Sequence, residues 1–304
     1  MFQSISSNKK AVALFVMGVL VPVLFLVILG SSRSSTTKGY DEYKIVPAPI
    51  PQQVTFAGEE MPLDNFDVRE RLDRELLANK FRHSATLLYL KRSARYFPII
   101  EPILKRYGVP DDFKYLCVAE SGLANEISPA KAVGYWQFIE SAAKRYGLRI
   151  TDEIDERYDV EKSTEAAAKY LLESYKKFGS WALAAASYNA GVAGISNRVN
   201  DQGEDNYYDL HMVEETLRYM PRIISLKIIM KNPEDYGFVL SDEDYYKPIK
   251  TKSVRVSGKV DSWVSFAKEH KTTYRLLRVL NPWIRSDKLV NKEQATYNVK
   301  IYNE

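Results

Sequence analysis

Cysteine and histidine are scarce in this sequence of 304 residues, which contains one cysteine and three histidines. A disulfide bond within the chain is therefore excluded, and the small supply of zinc ligands argues against a zinc site. The lone Cys117 lies in the apolar run Tyr115–Ala119, where we expect it to be a small buried hydrophobic residue. Glycine (14), proline (13) and charged residues (27%) are present in ordinary globular proportions, which excludes fibrous and low-complexity chains.

Neither sign of charge dominates the chain, but the two signs are unevenly distributed. The 43 basic and 39 acidic side chains give a formal net charge of +4. Residues 246–304 contain 13 Lys or Arg and 5 Asp or Glu, a net charge of +8, so residues 1–245 carry −4. A basic segment of this kind is typical of a protein with an anionic partner, and equally of a lysine-rich face in solvent.

One long apolar run lies near the N terminus. Ala11–Gly30 has no charged residue and is long enough to cross the hydrocarbon core of a bilayer as a helix. Lys9 and Lys10 precede it, which is the order found in a signal anchor. We predict a transmembrane segment over residues 1–33, with cleavage near Gly30 as the alternative; in both cases the rest of the chain is exported.

Residues 34–63 are rich in Ser, Thr, Pro and Gln, lack helical periodicity, and are predicted to be a flexible linker. From residue 64 to 231, apolar residues recur at helical spacing, which predicts a mainly helical domain. The predicted helices include Glu161–Phe178, Trp181–Ala190 and Val213–Met230, and the predicted breaks are Pro98, Gly108–Pro110 and Gly147.

After an irregular connecting segment over residues 232–252, the pattern changes to short strands that enclose two helices. The strands are predicted at Ser253–Ser257 and Thr296–Tyr302, and the helices at Asp261–His270 and Thr273–Leu280. Residues 253–304 are therefore predicted to form a βααβ module.

Glu120, followed by Ser121, ends the apolar run that contains Cys117. Burial disfavours the charged form of a carboxyl group and raises its pKa, so that the group can retain a proton at neutral pH and act as a general acid. The alternative is an ordinary solvated helix end. Three further segments combine amides, phenols and a carboxylate: Gly134–Phe138, Ser187–Gly191 and Glu215–Pro221. Each alone also fits a structural role, as aromatic core, helix C-cap or kinked helix.

Together these segments resemble the catalytic domain of the lytic transglycosylases, lysozyme-like muramidases that cleave bacterial peptidoglycan, and in particular their membrane-bound type D branch. The matching motifs are the Glu-Ser pair, Gly-x-x-Gln (Gly134–Gln137), Ala-Tyr-Asn-Ala-Gly (Ser187–Gly191) and Glu-Thr…Tyr-x-Pro (Glu215–Pro221). Ser187 replaces the usual Ala, and Tyr135 stands where Leu is common.

The resemblance implies that Glu120 protonates the glycosidic oxygen between N-acetylmuramic acid and N-acetylglucosamine. The 6-hydroxyl of the muramic acid then attacks its own anomeric carbon and leaves a 1,6-anhydro end. A single acid suits this reaction, because ordinary glycosidases need two carboxylates and intramolecular attack needs no positioned water. The resemblance also implies six substrate-binding residues: Ser121, Gln137, Tyr188, Asn189, Glu215 and Tyr219. For Glu215, an ion pair with Arg218 or Arg222 is an alternative.

The acidic cluster Asp152–Asp159 lacks the alternating oxygen ligands and central glycine of an EF-hand loop. We interpret it as charge at a loop and a helix start. The sequence predicts no metal site and no cofactor.

Residues 253–304 resemble a LysM domain, a small βααβ unit that binds polymers containing N-acetylglucosamine. The match includes Val254–Gly258, Trp263–Ala267, Leu276–Trp283 and Tyr297–Ile301, but Gly258–Ser262 departs from the usual Gly-Asp-Thr-Leu turn. The resemblance implies a wall-binding module, with packing on the catalytic domain as the alternative.

The resemblance, together with the apolar run at Ala11–Gly30, implies a peptidoglycan lytic transglycosylase of the cell envelope, anchored in the inner membrane with a periplasmic catalytic domain, or exported after signal cleavage. Its expected partners are peptidoglycan glycan strands and, through the N-terminal helix, a membrane; nucleic acid is not expected, because the chain has no nucleic-acid-binding motif. The alternatives are a hydrolytic muramidase in which Glu215 activates water, and a wall-binding scaffold without catalysis.

Overall fold

The computed structural model describes residues 45–303. The predicted membrane segment at residues 1–33 and the first part of the predicted linker lie outside the described residues. Among the helices at residues 45–303, none combines the length and the apolar character needed to span a membrane.

The second half of the predicted linker is folded, so the prediction of a flexible linker up to residue 63 is wrong there. Strands β1 (Thr55–Phe56) and β2 (Glu59–Glu60) form an antiparallel hairpin whose turn, Ala57–Gly58, has positive φ at both residues. Phe56 and Met61 are each only 1% exposed. Burial of these large apolar side chains in the core of the helical domain stabilises a segment whose polar composition suggested a linker.

The helical domain confirms the predicted mainly α class. Side chains of Asn65, Asp159 and Ser180 accept hydrogen bonds from backbone N–H groups and so cap the helices that follow them. The helices are α1 (Phe66–Phe81), α2 (His83–Tyr107), α3 (Phe113–Ser121), α4 (Glu140–Arg145), α5 (Val160–Phe178), α6 (Trp181–Ala190), α7 (Val192–Gln202), α8 (Glu214–Leu217) and α9 (Tyr219–Lys231).

Pro98 does not end a helix, contrary to the prediction from the sequence. Helix α2 continues through both Pro98 and Pro102 and ends where Gly108 adopts a left-handed conformation, with φ of 73°. Proline removes one backbone donor but has a helical φ, and the buried Ile100, Ile103 and Leu104 pack this part of α2 on the core. Apolar packing therefore outweighs the local preference of proline.

Helix α3, which ends with Glu120 and Ser121, packs against α2 and α9. Helix α9 packs on both α1 and α3, and α3 buries the side chains of Phe113, Leu116 and Cys117. The alanine-rich α6 is buried over seven consecutive residues, 181–187, which places it in the centre of the domain. The two polar segments between α3 and α5 and between α6 and α9 lie at the ends of these central helices.

The C-terminal module has the predicted βααβ order. It consists of β3 (Thr251–Val256), α10 (Trp263–Glu269), α11 (Tyr274–Leu280) and β4 (Tyr297–Tyr302). The strands are antiparallel, with Thr251 opposite Tyr302 and Val256 opposite Tyr297. Alternate residues of β4 are buried against the two helices, as expected for a strand with one face on a core.

Candidate active site

Glu120 lies in the last turn of α3, one helical turn after the buried Leu116. This spacing directs its side chain to the same side of α3 as the core residues. The helix ends at Gly122, which has φ of 59°. A Cβ atom at this position would lie 2.3 Å from the ring of Tyr89, so only glycine allows α2 to approach the end of α3 this closely.

The carboxyl group of Glu120 is half-buried and accepts a hydrogen bond from the phenol of Tyr219, the first residue of α9. Burial raises the pKa of Glu120 from 4.5 to about 7. The Tyr219 hydrogen bond and the charge of Arg222 oppose this rise in pKa, and the charge of Glu215 adds to it. Burial also raises the pKa of the Tyr219 phenol well above 10, so Tyr219 remains a donor. At neutral pH, Glu120 is therefore able both to release and to accept a proton.

A cleft of about 380 Å³ opens beside Glu120, between helices α1, α2, α3 and α9. Its walls are mostly polar and include the side chains of Glu75, Arg82, Tyr89, Glu126 and Arg222. A polar cleft beside a protonated carboxyl group can receive a hydrogen-bonding substrate and transfer a proton to it.

Glu75 was not predicted as a site residue, yet it is 2% exposed and lines the same cleft. Arg218 Nε donates to Glu75 Oε1 at 2.6 Å, and Arg222 Nε lies 3.6 Å from Glu75 Oε2. One turn later in α1, the Asn79 amide donates to Ser225 Oγ at 2.8 Å. The signal in the sequence was the spacing of Leu72, Glu75, Leu76 and Asn79, which places both polar residues on the apolar face of a helix.

The Gly-x-x-Gln motif forms a tight loop, named here the 133–138 loop, whose ends Val133 and Phe138 pair by backbone hydrogen bonds at 3.1 Å. Gly134 has φ of 85°, and a Cβ atom there would lie 2.0 Å from the carbonyl oxygen of Arg157. Gln137 also has positive φ, at 48°. Its amide donates to the carbonyls of Gly134 (2.7 Å) and Glu126 (3.1 Å), which fixes the side chain on the loop backbone.

Ser121 and Tyr188 both bind the 133–138 loop. Ser121 Oγ donates to the carbonyl of Tyr135 at 2.7 Å, and the phenol of Tyr188 donates to the carbonyl of Trp136 at 2.8 Å. The charge of Glu120 is close enough to raise the pKa of Tyr188, although burial is the larger cause of that rise. The structure therefore brings Glu120, Ser121, Gln137, Tyr188 and Tyr219 together around one loop and one helix end.

Asn189 and Glu215 form a neighbouring polar group. Thr216 Oγ1 donates to Asn189 Oδ1 at 2.9 Å, and Asn189 Nδ2 lies 3.4 Å from Glu215 Oε1. Thr216, which is 1% exposed, was also missed by the sequence reasoning, although it stands inside the Glu-Thr motif. Glu215 is exposed. The suggested ion pair of Glu215 is not what the structure has, because Arg218 and Arg222 both pair with Glu75.

The acidic cluster Asp152–Asp159 is used for structural contacts. Asp155 pairs with Arg157 at 2.7 Å, and Asp159 caps α5. Over residues 45–303, no group of three or more His, Cys, Asp or Glu side chains could bind a metal ion.

Residues 97–210 match the family model described as "Transglycosylase SLT domain", and residues 252–304 match "Soluble lytic transglycosylase C-terminal LysM-like domain". The first match includes Glu120, Ser121, Gln137, Tyr188 and Asn189. Glu75, Glu215 and Tyr219 lie outside it.

Similar curated proteins include "Membrane-bound lytic murein transglycosylase D" from Escherichia coli K12 and from Escherichia coli O6:H1 (strain CFT073). Each is 31% identical over 199 residues, which cover 62% of this chain and 43% of the relative. A "Putative tributyltin chloride resistance protein" from Alteromonas sp. (strain M-1) is 29% identical over 118 residues, or 36% of this chain and 57% of that protein. The chain thus spans less than half the length of the Escherichia coli relatives.

Proposed function

We propose that this chain, whose residues 97–210 match an SLT transglycosylase domain and whose residues 252–304 match a LysM-like domain, is a peptidoglycan lytic transglycosylase. The bond cleaved is the β-1,4 bond between N-acetylmuramic acid and N-acetylglucosamine, and the product carries a 1,6-anhydro-N-acetylmuramic acid end. The observation that carries the proposal is Glu120, a carboxyl group in a polar cleft with a pKa of about 7.

Glu120 begins the reaction as the protonated acid and donates its proton to the glycosidic oxygen. The bond from the anomeric carbon to that oxygen breaks, and N-acetylglucosamine leaves as an alcohol. The 6-hydroxyl of the muramic acid then forms a bond to the anomeric carbon, and Glu120 takes the proton of that hydroxyl. Glu120 is again protonated, and no water is consumed. A pKa near the working pH favours both proton transfers.

Tyr219 is the residue that contacts the acid directly, and it is proposed to orient the Glu120 carboxyl group. Ser121, Gln137 and Tyr188 are proposed to act on substrate through the 133–138 loop, because their polar atoms already bind its backbone. Asn189 is proposed to bind the N-acetylated sugar through its amide, with Thr216 fixing the orientation of that amide. Glu215 is proposed to act by its charge, which raises the pKa of Glu120.

The hydrolytic alternative needs a second carboxylate that can activate water. Glu75 lines the cleft, but its two oxygens pair with Arg218 and Arg222. Glu215 is exposed and lies near the Asn189 amide. Because Glu126 also lines the cleft, the products, and not the number of carboxyl groups, decide between the two reactions.

We further propose that the protein acts in the cell envelope on peptidoglycan glycan strands, with residues 11–30 as a membrane anchor or export signal. The uncharged run at these residues supports this location, and so do the names of the Escherichia coli relatives, which describe membrane-bound enzymes. The LysM-like module is proposed to contribute to contact with the cell wall.

Mass spectrometry of the products released from purified sacculi by the full-length chain tests the proposal. We expect muropeptides that are one water lighter than the hydrolysed products, and we expect Glu120→Gln to abolish them. Glu140→Gln is the control, because Glu140 is exposed and, among residues 45–303, forms its ion pair with Lys144 on the surface. Reducing-end products would indicate a hydrolase. Sedimentation with sacculi without cleavage would indicate a wall-binding scaffold.

A further inference from the structure

The LysM-like module is joined to the catalytic domain by backbone hydrogen bonds as well as by the chain. The segment after α11 runs alongside the segment before α5: Asp155 N donates to Trp283 O, and Arg285 N donates to Glu153 O, both at 2.8 Å. The paired residues between them, Ile154 and Ile284, are 2% and 0% exposed. This is a two-stranded β-bridge between the two domains, buried on its apolar side.

Charged side chains connect the catalytic domain and the module at three further points. The Glu153 carboxylate accepts from Val290 N at 2.9 Å and from Asn291 N at 3.4 Å. The Arg285 guanidinium lies 4.2 Å from the centre of the Tyr158 ring. Lys300 Nζ pairs with Glu161 at 2.5 Å. These contacts fix the orientation of the module because they lie at separate points on it, namely residues 285–291 and strand β4.

The apolar core of the module includes side chains of the catalytic domain. Val133, Ile154 and Tyr158 belong to the same buried cluster as Trp263 and Ile284, separate from the main helical core. Val133 is the first residue of the 133–138 loop. The start of the loop therefore belongs to the apolar cluster that joins the domain and the module, and not to the main helical core.

Residues 153–158 of the catalytic domain bind the module and are named here the docked segment. This segment also contacts the rest of the 133–138 loop. Arg157, paired with Asp155 at 2.7 Å, donates to the carbonyl of Phe138 at 3.3 Å. The carbonyl of Arg157 lies where any side chain on Gly134 would clash. On the other side of the loop, Ser121 and Tyr188 bind the carbonyls of Tyr135 and Trp136. The loop is thus enclosed between the module-bound segment and the residues beside Glu120.

We infer that the LysM-like module positions the 133–138 loop for the reaction, and that Glu153 is a positioning residue at the junction, in addition to any role of the module in wall binding. Its expected effect on turnover rests on the proposed function of the same site. A catalytic loop needs its geometry fixed to a fraction of an ångström for full activity, and release of the docked segment would remove the contacts of Val133 and Arg157 together.

The test compares full-length wild type with Glu153→Ala and with the double variant Glu153→Ala/Arg285→Ala. Asp261→Ala is the matched control: it removes an acidic side chain that is 82% exposed on the module and that pairs with the exposed Lys259. Three quantities are measured: amide hydrogen exchange at residues 283–291 and 133–138, turnover on a soluble peptidoglycan fragment, and sedimentation with sacculi.

We expect exchange at both segments to increase by about tenfold in the double variant, and turnover to fall by about tenfold, with sedimentation unchanged. Glu153→Ala should show the same pattern to a smaller extent, and Asp261→Ala should resemble wild type. Increased exchange at residues 283–291 without a change at 133–138 would overturn the inference, and so would variants with no change at either segment. A fall in turnover that only follows a fall in sedimentation would make the module a binding domain alone.

The exchange measurement does not depend on the proposed function. If wild type released no product from sacculi or fragments, the proposed function would be wrong, while exchange at residues 133–138 would still decide whether the module positions the loop.

Discussion

Glu75 and Glu120 line one cleft from helices α1 and α3, and their surroundings differ in charge. Glu75 is the more deeply buried and faces two guanidinium groups, those of Arg218 and Arg222. Glu120 is half-buried and faces a neutral phenol, that of Tyr219. Burial raises the pKa of Glu120 to about 7 because the phenol stabilises the carboxylate less than a full positive charge would. A buried carboxyl group whose nearest partner is neutral can therefore serve as an acid at neutral pH.

Removal of the charge of Glu75 tests this comparison. Of the changes considered, it is expected to have the largest effect on the free energy of unfolding. In Glu75→Gln, two partly buried guanidinium groups lose their counter-charge, and we expect the free energy of unfolding to fall by about 2–3 kcal/mol. The unbalanced charge of Arg222 should also stabilise the Glu120 carboxylate and lower the pKa of Glu120. Chemical denaturation measures the first effect, and the pH profile of product release measures the second.

Glu214→Gln is the matched control for Glu75→Gln. Glu214 also binds two arginines, Arg71 at 3.0 Å and Arg74 at 2.6 Å, but its side chain is 55% exposed. Solvent screens such a pair, so the expected loss is below about 1 kcal/mol. Equal losses in the two variants would show that burial of Glu75 adds nothing.

The raised pKa of Glu120 predicts a pH-dependent gain in stability for Glu120→Gln. Below about pH 4 the carboxyl group is protonated in the folded and the unfolded chain, and the two proteins should be equally stable. Between the unfolded pKa of 4.5 and the folded pKa of about 7, only the unfolded chain loses its proton, so the free energy of unfolding of wild type falls as pH rises. At pH 8, we expect Glu120→Gln to be more stable than wild type by about 1–3 kcal/mol.

Thermal or chemical unfolding at pH 4 and pH 8 measures this difference. Glutamine retains an oxygen that accepts from Tyr219, so the hydrogen bond is not the variable. A variant with the same stability as wild type at both pH values would contradict the raised pKa of Glu120.

Tyr219→Phe has the smallest expected effect. We expect it to change the pKa of Glu120 by less than about one unit, which corresponds to about 1 kcal/mol. The phenol lowers the pKa of Glu120, and its loss should therefore raise that pKa and move the alkaline limb of the activity profile to higher pH. Glu215→Gln should move the limb slightly in the opposite direction, because the charge of Glu215 raises the pKa of Glu120. Shifts of the same sign in both variants would be inconsistent with this electrostatic account.

The sequence predicts the fold class because the helical spacing of apolar residues and the alternation in β4 record local burial. Helix α6 coincides with its predicted bounds, and both strands of the module begin within two residues of theirs. The hairpin at residues 55–60 was missed, because two-residue strands carry too short a pattern to distinguish from a linker. The break at Pro98 was wrong because tertiary packing of α2 is not visible in local propensity.

The residues of the candidate site likewise include some that local sequence patterns predict and others that depend on distant contacts. Glu120 could be proposed from the apolar run before it, and Gln137, Tyr188 and Asn189 from short motifs. Glu75 and its arginines could not be paired, because Arg218 lies 143 residues further along the chain. The contribution of the LysM-like module to the 133–138 loop was likewise invisible, since it depends on where two separately patterned segments meet in space.

The contact between α1 and α9 has a consequence for the order in which the protein matures. During synthesis the N terminus emerges first, so α1 and α3 leave the ribosome well before residues 218–222. Until then Glu75 lacks its cations and Glu120 lacks its phenol, and the cleft is missing one wall. Contacts of such large sequence separation form late and slow the folding of a domain. The nascent chain therefore contains Glu120 long before the cleft around it is complete, and the cleft forms only when α9 packs on α1 and α3.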